Sequence, residues 1–587
     1  MYLVIDNQGG MDMSYKIENF NNVHMKNEVN KFRNMLISSN MIQGRISQEQ
    51  QIVLSYIIYL LNSFNNPIKF TKDSIEQLEL DEEIYMFIEP LLDTLNYDLI
   101  QKSLNEYSLS VFEMSCLLPC EDIFRSGNDS TPESISKLVN KILDIKEDDN
   151  LADICCGVGN YMTYTALTNA YKTINGFEIN VGNAIVAKIR AKLLGESVNV
   201  TIGDVFELAE SNRRFDKIFS NYPFGMRMKE LAMKGLSILD DLSNKDSNIS
   251  RATSSDWLFN WLICNLLEDN GKAVAIMTNG STFNKIDTPI RKYFIEKGLI
   301  ETVISLPDKM FVSTAIPTSV IVFSRNNESI KFVNAKNLCE KGRRNNYLTD
   351  ANITEILEAI TNDNENSLTV LLEDLKNNDY VLNYDRYNEK AVSYDNGVKF
   401  SEIINTITRG AACKANDLDE ITSEEPTNFQ YLMLSNIQNG IIDNNLPYLK
   451  EIDDKYRKYC LKNDDLILSK NGYPYKIAVA SISDEKEVLA NGNLYIIDVD
   501  KTKANTYYLK AFFESEEGVA ALKRISVGSV IPNIGLSSLK ELEIPLPSLE
   551  EQNKVANRYL AIVDEITMLN HKLDNAVKRL NEVFNQG

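Results

Sequence analysis

The chain has 587 residues, 25% charged and 44% hydrophobic, and carries a net charge of −22. Such a length exceeds what one hydrophobic core supports and implies three or four domains of ordinary globular composition. No apolar run is long enough to span a membrane and no basic-then-apolar leader opens the chain, while the acidic balance counts only weakly against nucleic acid, because phosphate contact depends on local basic patches.

Residues 1–12 read as a dispensable leader, because Met11 and Met13 follow a Gly-Gly pair. Residues 14–125 read as mostly helical, and the run from Gln51 to Leu61 is too apolar to be exposed. From about residue 126 helices and strands alternate. Thr131-Pro132 is a start signal for a helix from Glu133 to Ile145. Strands are predicted at 151–155, 173–178, 198–202, 215–220, 272–277, 300–305 and 319–324, with helices between most of them, notably 181–194 and 256–268. Seven strands with crossover helices imply a largely parallel, doubly wound sheet. The Asn- and Glu-rich stretch 326–365 reads as a connector with short helices. Composition shifts again near 390–400, beyond which strands alternate with Asn/Asp/Gly turns, as in Asn436–Ile442 and Gly492–Val499. One long helix runs from Leu549 to Phe584, with apolar residues at 555, 559, 562, 566, 569, 573, 577, 580 and 584. Those steps of three and four describe a coiled-coil seam.

The eight cysteines include no CxxC pair and no metal spacing, which fits a reduced cytoplasm without structural zinc. The only histidines, His24 and His571, lie far from the motifs below, which argues against catalysis by His and against His metal ligands.

Asp153-Ile154-Cys155-Cys156-Gly157-Val158-Gly159-Asn160 closes the first strand. Its glycines let backbone approach a nucleoside ligand, and the helix that follows favours a carboxylate at its N-terminus; a tight turn without a ligand is the competing reading of this loop alone. Glu178 ends the second strand, where an acid can hold both ribose hydroxyls. Asp204 ends the third and can accept a hydrogen bond from an adenine amino group. Each acid alone also reads as a turn or helix-cap residue, but three acids ending three successive strands together favour the nucleoside. Asn221-Tyr222-Pro223-Phe224 then ends the strand 215–220. A Gly-rich cofactor turn followed by such a polar-Pro-aromatic turn is the layout of enzymes that methylate an exocyclic amino nitrogen. The Asn221 side-chain oxygen and the Tyr222 backbone carbonyl can accept the two N–H bonds of a delocalised amino group and favour its nucleophilic form. Phe224 can stack on a base that has left its duplex.

On these residues, together with Ser130-Thr131-Pro132, Ser255-Asp256, the run from Ile290-Arg291-Lys292 to Ser305-Leu306-Pro307, Asp379-Tyr380-Val381-Leu382-Asn383 and Arg386-Tyr387, residues 14 to about 390 resemble the modification subunit of type I restriction–modification systems. That resemblance implies an S-adenosylmethionine-dependent N6-adenine DNA methyltransferase. The cofactor would lie against Thr131, Asp153, Gly157, Gly159, Glu178 and Asp204, the flipped adenine against Asn221, Tyr222, Pro223 and Phe224, and no metal is implied. Leu434-Ser435-Asn436-Ile437, Asp464-Asp465-Leu466-Ile467 and Ile544-Pro545-Leu546-Pro547-Ser548-Leu549-Glu550-Glu551-Gln552 resemble half of a type I specificity subunit, with one target-recognition domain and a spacer helix. Lys470, Lys476, Lys510, Lys523 and Arg524 are its candidate phosphate contacts, against the alternative of solvated surface side chains.

The implied organisation is α/β. A helical N-terminal domain at 14–125 precedes a seven-stranded Rossmann-like methyltransferase core at 126–330 and a connector at 331–397. An α/β target-recognition domain at 398–547 and a long coiled-coil spacer or dimerisation helix at 548–587 complete it. The implied partners are double-stranded DNA, a second copy through that helix and a separate restriction subunit, but no membrane. No GxxxxGK[ST] loop is present, so translocation of DNA is not this chain's own work.

The chain departs from the family pattern at Tyr222, where a proline is usual, at Asn160, where a glycine is usual, and at Asp129-Ser130, where an aromatic often precedes Thr-Pro. These changes keep open a second reading, a DNA-binding or assembly subunit with a decayed core. A third reading, methylation of an amide or amino group in protein or RNA, fits the turn but not the C-terminal resemblance.

Overall fold

A nine-stranded sheet organises the first of two units into which the chain divides, Met1–Tyr384; the second is Asp385–Gly587. The computed structural model describes residues 13–119, 131–226, 233–250, 252–311, 317–342, 345–388, 394, 396–413, 418, 420–443, 445–483, 485–527 and 533–582. The leader at 1–12, Cys120, Asp129, Ser130 and Phe584 lie outside the described residues.

The strands are β1 (Asn150–Ile154), β2 (Thr173–Glu178), β3 (Val198–Ile202), β4 (Phe215–Ser220), β5 (Leu267–Thr278), β6 (Ile300–Ser305), β7 (Thr318–Phe323), β8 (Ser329–Asn334) and β9 (Ser367–Leu371). Their order is β9-β8-β6-β7-β5-β4-β1-β2-β3. Only β7 and β9 oppose the common direction, so the sheet is mixed. All seven predicted strands form. The two additional ones, β8 and β9, correct the reading of the polar stretch after residue 325 as connector: Ile330, Phe332 and Val333 are buried within it. As the edge strand, β9 leaves Thr369 and Leu371 in solvent, which is why its composition looked like loop.

Helices cover both faces, as parallel strands require. On one side Val181–Leu194 packs against the N-terminal helices, joining their apolar residues and those of the sheet into one core that includes Phe32, Ile57 and Met162. Gln51 to Leu61 are all buried within the helix Gln48–Ser63, which starts at a capping box between Ser47 and Gln50. On the other side Glu133–Leu143 and Asp350–Thr361 pack over Phe219, Val274 and Ile304.

The second unit holds two four-stranded sheets. One has the order Ile404–Arg409, Leu494–Val499, Leu466–Ser469, Ile477–Val479; the other Thr422–Ser423, Tyr448–Leu449, Phe429–Leu432, Glu487–Ala490. Ser548 opens the helix Leu549–Glu582 with a capping box: its hydroxyl accepts from the Glu551 amide at 3.4 Å and the Glu551 carboxylate accepts from the Ser548 amide at 3.2 Å. Buried Gln552 then ties the helix down, donating to the carbonyls of Lys503 (3.1 Å) and Pro547 (2.8 Å). Farther along, Ile562, Ile566, Leu569, Leu573 and Val577 are exposed on the helix. Among the described residues no helix is long and apolar enough to cross a membrane.

Candidate active site

Because β1 to β4 are parallel, their carboxyl ends share one edge. Asp153 on β1 is in register with Gly176 on β2 and Phe219 on β4, Glu178 is the last residue of β2, Asp204 lies just past β3, and Asn221 follows β4. The turn after β1 winds through three residues of positive φ, Cys155 (62°), Gly157 (56°) and Gly159 (77°). Gly159 is required twice over, since a Cβ there would also lie 3.2 Å from that of Ala187. In front of Gly157 a Cβ would meet nothing within 4 Å, so the backbone faces open space. Glu178 holds this loop: one carboxylate oxygen accepts from the Gly157 amide at 2.9 Å and the other from the Asn180 amide at 2.7 Å. Asp204 caps the short turn Val205–Glu210 by accepting from the Phe206 amide at 3.0 Å.

The three acids converge. Burial pushes the Cys155 thiol well up, and Glu178, Asp153 and Asp204 each push it further. Asp153 is buried, one of its carboxylate oxygens has no hydrogen-bond partner in the protein, and burial together with the Glu178 charge holds its carboxyl well above the usual range. These features fit a nucleoside cofactor. The glycine backbone leaves room for it, and Glu178 keeps lone pairs beyond the two in use, a carboxylate having about four. Ionised Asp153 is a destabilising charge in the unliganded chain. With the folded pKa raised, that cost is absent below the ordinary carboxylate pKa, grows as pH rises toward the folded value and is constant above it. Asp153→Asn is therefore expected to melt higher than the parent at neutral pH, with the two curves converging as pH falls toward 4, in thermal melts without cofactor.

Asn221 donates from its amide nitrogen to the Thr131 hydroxyl at 3.2 Å, which fixes the side chain. Phe224 is half-buried and held edge-to-face by Phe311 at 5.7 Å, while Pro223 is exposed. The turn is anchored beyond Gly225, where the Ser255 hydroxyl donates to the Met226 carbonyl at 2.7 Å.

Two departures from the expected pattern have structural accounts. Tyr222 points into the core, fully buried; its ring stacks on Phe259 at 4.9 Å and its hydroxyl donates to the Asn260 side chain at 3.2 Å. Burial raises its phenol well above the ordinary value, so it stays neutral. Its side chain therefore takes no part in the turn, and only its backbone is left there. Tyr222→Phe is expected to destabilise the chain by about 1–3 kcal/mol in urea unfolding, because the Asn260 oxygen is left buried without its donor. Asn160 is engaged by the core: its side-chain oxygen accepts from Arg190 at 2.5 Å. Arg190, fully buried, also donates to the carbonyls of Val158 (2.7 Å), Cys116 (2.9 Å) and Leu118 (3.2 Å). It thus clamps the cofactor loop to the N-terminal helices. Sequence reading missed it, since a lone arginine in an apolar helix was its only signal.

Residues 122–395 match the family described as N-6 DNA Methylase, and residues 396–579 match the Type I restriction modification DNA specificity domain. The two matches lie end to end, a methylase family followed by a type I specificity domain. Two curated relatives from Methanocaldococcus jannaschii are the type I restriction enzyme MjaVII methylase subunit, 28% identical over 52% of this chain and 56% of its own length, and the MjaVIII methylase subunit, 25% identical over 60% of this chain and 66% of its own. The MjaIX specificity subunit of the same organism is 29% identical over 27% of this chain and 34% of its own length. The chain thus spans less than two thirds of these relatives.

In the specificity domain the candidate phosphate contacts separate. Lys510 is buried and donates to Glu514 and to the Tyr559 hydroxyl, both at 2.6 Å, joining the helix Thr506–Glu514 to the long helix. Lys476 donates to the carbonyls of Leu434 (2.9 Å) and Ile437 (2.8 Å). Both serve the fold, which corrects their reading as phosphate contacts. Lys523 is exposed, and Lys470 and Arg524 are half-buried.

Proposed function

We propose that this chain is a site-specific DNA N6-adenine methyltransferase of a restriction–modification or related system, acting in the cytoplasm on double-stranded DNA. The observation that carries this reading is the convergence at one sheet edge of the three acids, the open glycine loop and the Asn221 turn. Asp153, Gly157, Gly159, Glu178, Asp204 and Thr131 would hold S-adenosylmethionine, which would supply an electrophilic methyl group. Asn221 and the Tyr222 carbonyl accept the N–H bonds of the target amino group and orient its lone pair. Phe224 covers the face of the extruded base. The methyl group would pass to N6 as its bond to the sulfonium sulfur breaks, leaving a neutral thioether, and N6 would lose a proton to solvent, so no histidine is needed.

The boundaries proposed for the working parts are the methyltransferase core from 126, the recognition domain from 398 and the spacer helix from 548. The apolar stripe Ile562, Ile566, Leu569, Leu573 and Val577 supports a homodimer through that helix, giving two recognition domains and a split, palindromic site. A separate restriction subunit would cleave. A decayed core is the weaker reading, since Tyr222 and Asn160 are both accommodated by packing that leaves Asp153, Glu178, Asp204 and Asn221 in place. The test is long-read methylation mapping of DNA from cells expressing this chain alone. N6-methyladenine at one motif supports the reading; unmethylated DNA, with no S-adenosylmethionine binding by the purified chain, rejects it.

A further inference from the structure

Some basic side chains of the specificity domain are paired with carboxylates. Arg457 pairs with Glu487 and Asp454, Lys501 with Asp464, Lys399 with Glu541. Arg409, Lys470 and Lys523 have no carboxylate partner among the described residues, in a chain of net charge −22. Two of them are mounted on one turn: Arg409 donates to the Gly492 carbonyl at 2.6 Å, and the Lys470 backbone amide donates to the Asn493 carbonyl at 2.8 Å. Burial and the neighbouring Arg409 guanidinium hold the Lys470 ammonium below its ordinary value.

Beside them the side chains of Asn493, Asn471 and Asn533 form a ladder. Asn471 donates to Asn493 at 3.0 Å and accepts from Asn533 at 2.5 Å. The ladder orders these amides before any partner arrives, which lowers the entropy cost of binding. Tyr473, two residues beyond Asn471, is 55% exposed, and the Lys523 ammonium sits 4.6 Å from its ring centre. Cations without acids, ordered amides and a projecting aromatic are the groups that phosphates and base edges take.

We propose that the specificity domain meets DNA on this surface, with Arg409, Lys470 and Lys523 on phosphates and the Asn471–Asn493 ladder with Tyr473 on base edges. The assignment rests on the reading of this chain as a DNA methyltransferase and divides labour within it. The full chain is titrated with duplex DNA between 50 and 200 mM salt, and its methylated motif is mapped. The triple variant Arg409→Gln, Lys470→Gln, Lys523→Gln is expected to weaken binding equally on all sequences. The slope of log affinity against log salt should become shallower by about 0.9 for each phosphate that is no longer neutralised. Asn493→Ala and Tyr473→Ala are expected to keep that slope but lose about tenfold or more of the preference for one base pair, so that one motif position relaxes. Lys501→Gln, removing an acid-paired cation, is the control and should change neither. Unchanged melting temperatures separate these effects from misfolding. A triple variant with the parent slope, or single variants with the parent motif, overturns the assignment while leaving the methyltransferase reading intact. A parent chain that neither binds nor methylates DNA sinks both.

Discussion

Asn221→Ala is expected to lower the rate of adenine methylation by about 10²–10³-fold, the loss seen when one preorganised polar group is removed from a reacting centre. The amide has two ends with separate work. Its nitrogen is tied to the Thr131 hydroxyl at 3.2 Å, which sets the orientation of the oxygen. An alanine removes that acceptor without disturbing the cofactor loop, which is held by Glu178 and Arg190 instead. S-adenosylmethionine affinity should stay within a few-fold, measured by calorimetric titration beside single-turnover methylation. Equal losses in binding and turnover would show that Asn221 supports the cofactor rather than the amino group. Thr131→Val, which frees the amide to rotate, should give a smaller loss of the same kind.

Arg190→Met is expected to be the most damaging substitution outside the acids. Methionine preserves the apolar stem but leaves the Cys116, Leu118 and Val158 carbonyls and the Asn160 oxygen without their shared donor. The Cys116 and Leu118 acceptors are buried, and buried acceptors so orphaned cost about 1–3 kcal/mol each before relaxation, so a net loss of about 3–5 kcal/mol in urea unfolding is expected. Because Val158 lies in the glycine loop, S-adenosylmethionine affinity should fall as well. Arg190→Lys should restore little, since a point-like ammonium cannot reach four acceptors in a plane. Full cofactor affinity in a destabilised Met variant would show that the clamp serves only packing.

What the sequence showed and hid follows from how local each signal is. Doubly buried strands such as β5 and β7 carry nearly continuous apolar runs and declare themselves. The edge strand β9, wet on one face, does not. The acids at 153, 178 and 204 and the Asn221 turn were legible because each sits at the end of such a strand. The roles of Tyr222, Asn160 and Arg190 were not, since their partners lie 30 to 74 residues away. Nor can spacing distinguish a lysine in solvent from Lys510, whose partners Glu514 and Tyr559 come from two different helices.

The helix Leu549–Glu582 has 34 residues. At 1.5 Å each it is a rod of about 51 Å, on the order of fifteen base pairs at 3.4 Å per step. In the two-copy arrangement proposed above, that rod measures the distance between half-sites without touching a base. Seven added residues are nearly two helical turns, so the apolar stripe would stay in phase while the rod grew by about 10 Å. The expected product is an enzyme with the same two half-sites and a gap about three base pairs longer. Spacing would then be set by chain length and base identity by surface chemistry, each open to change without the other.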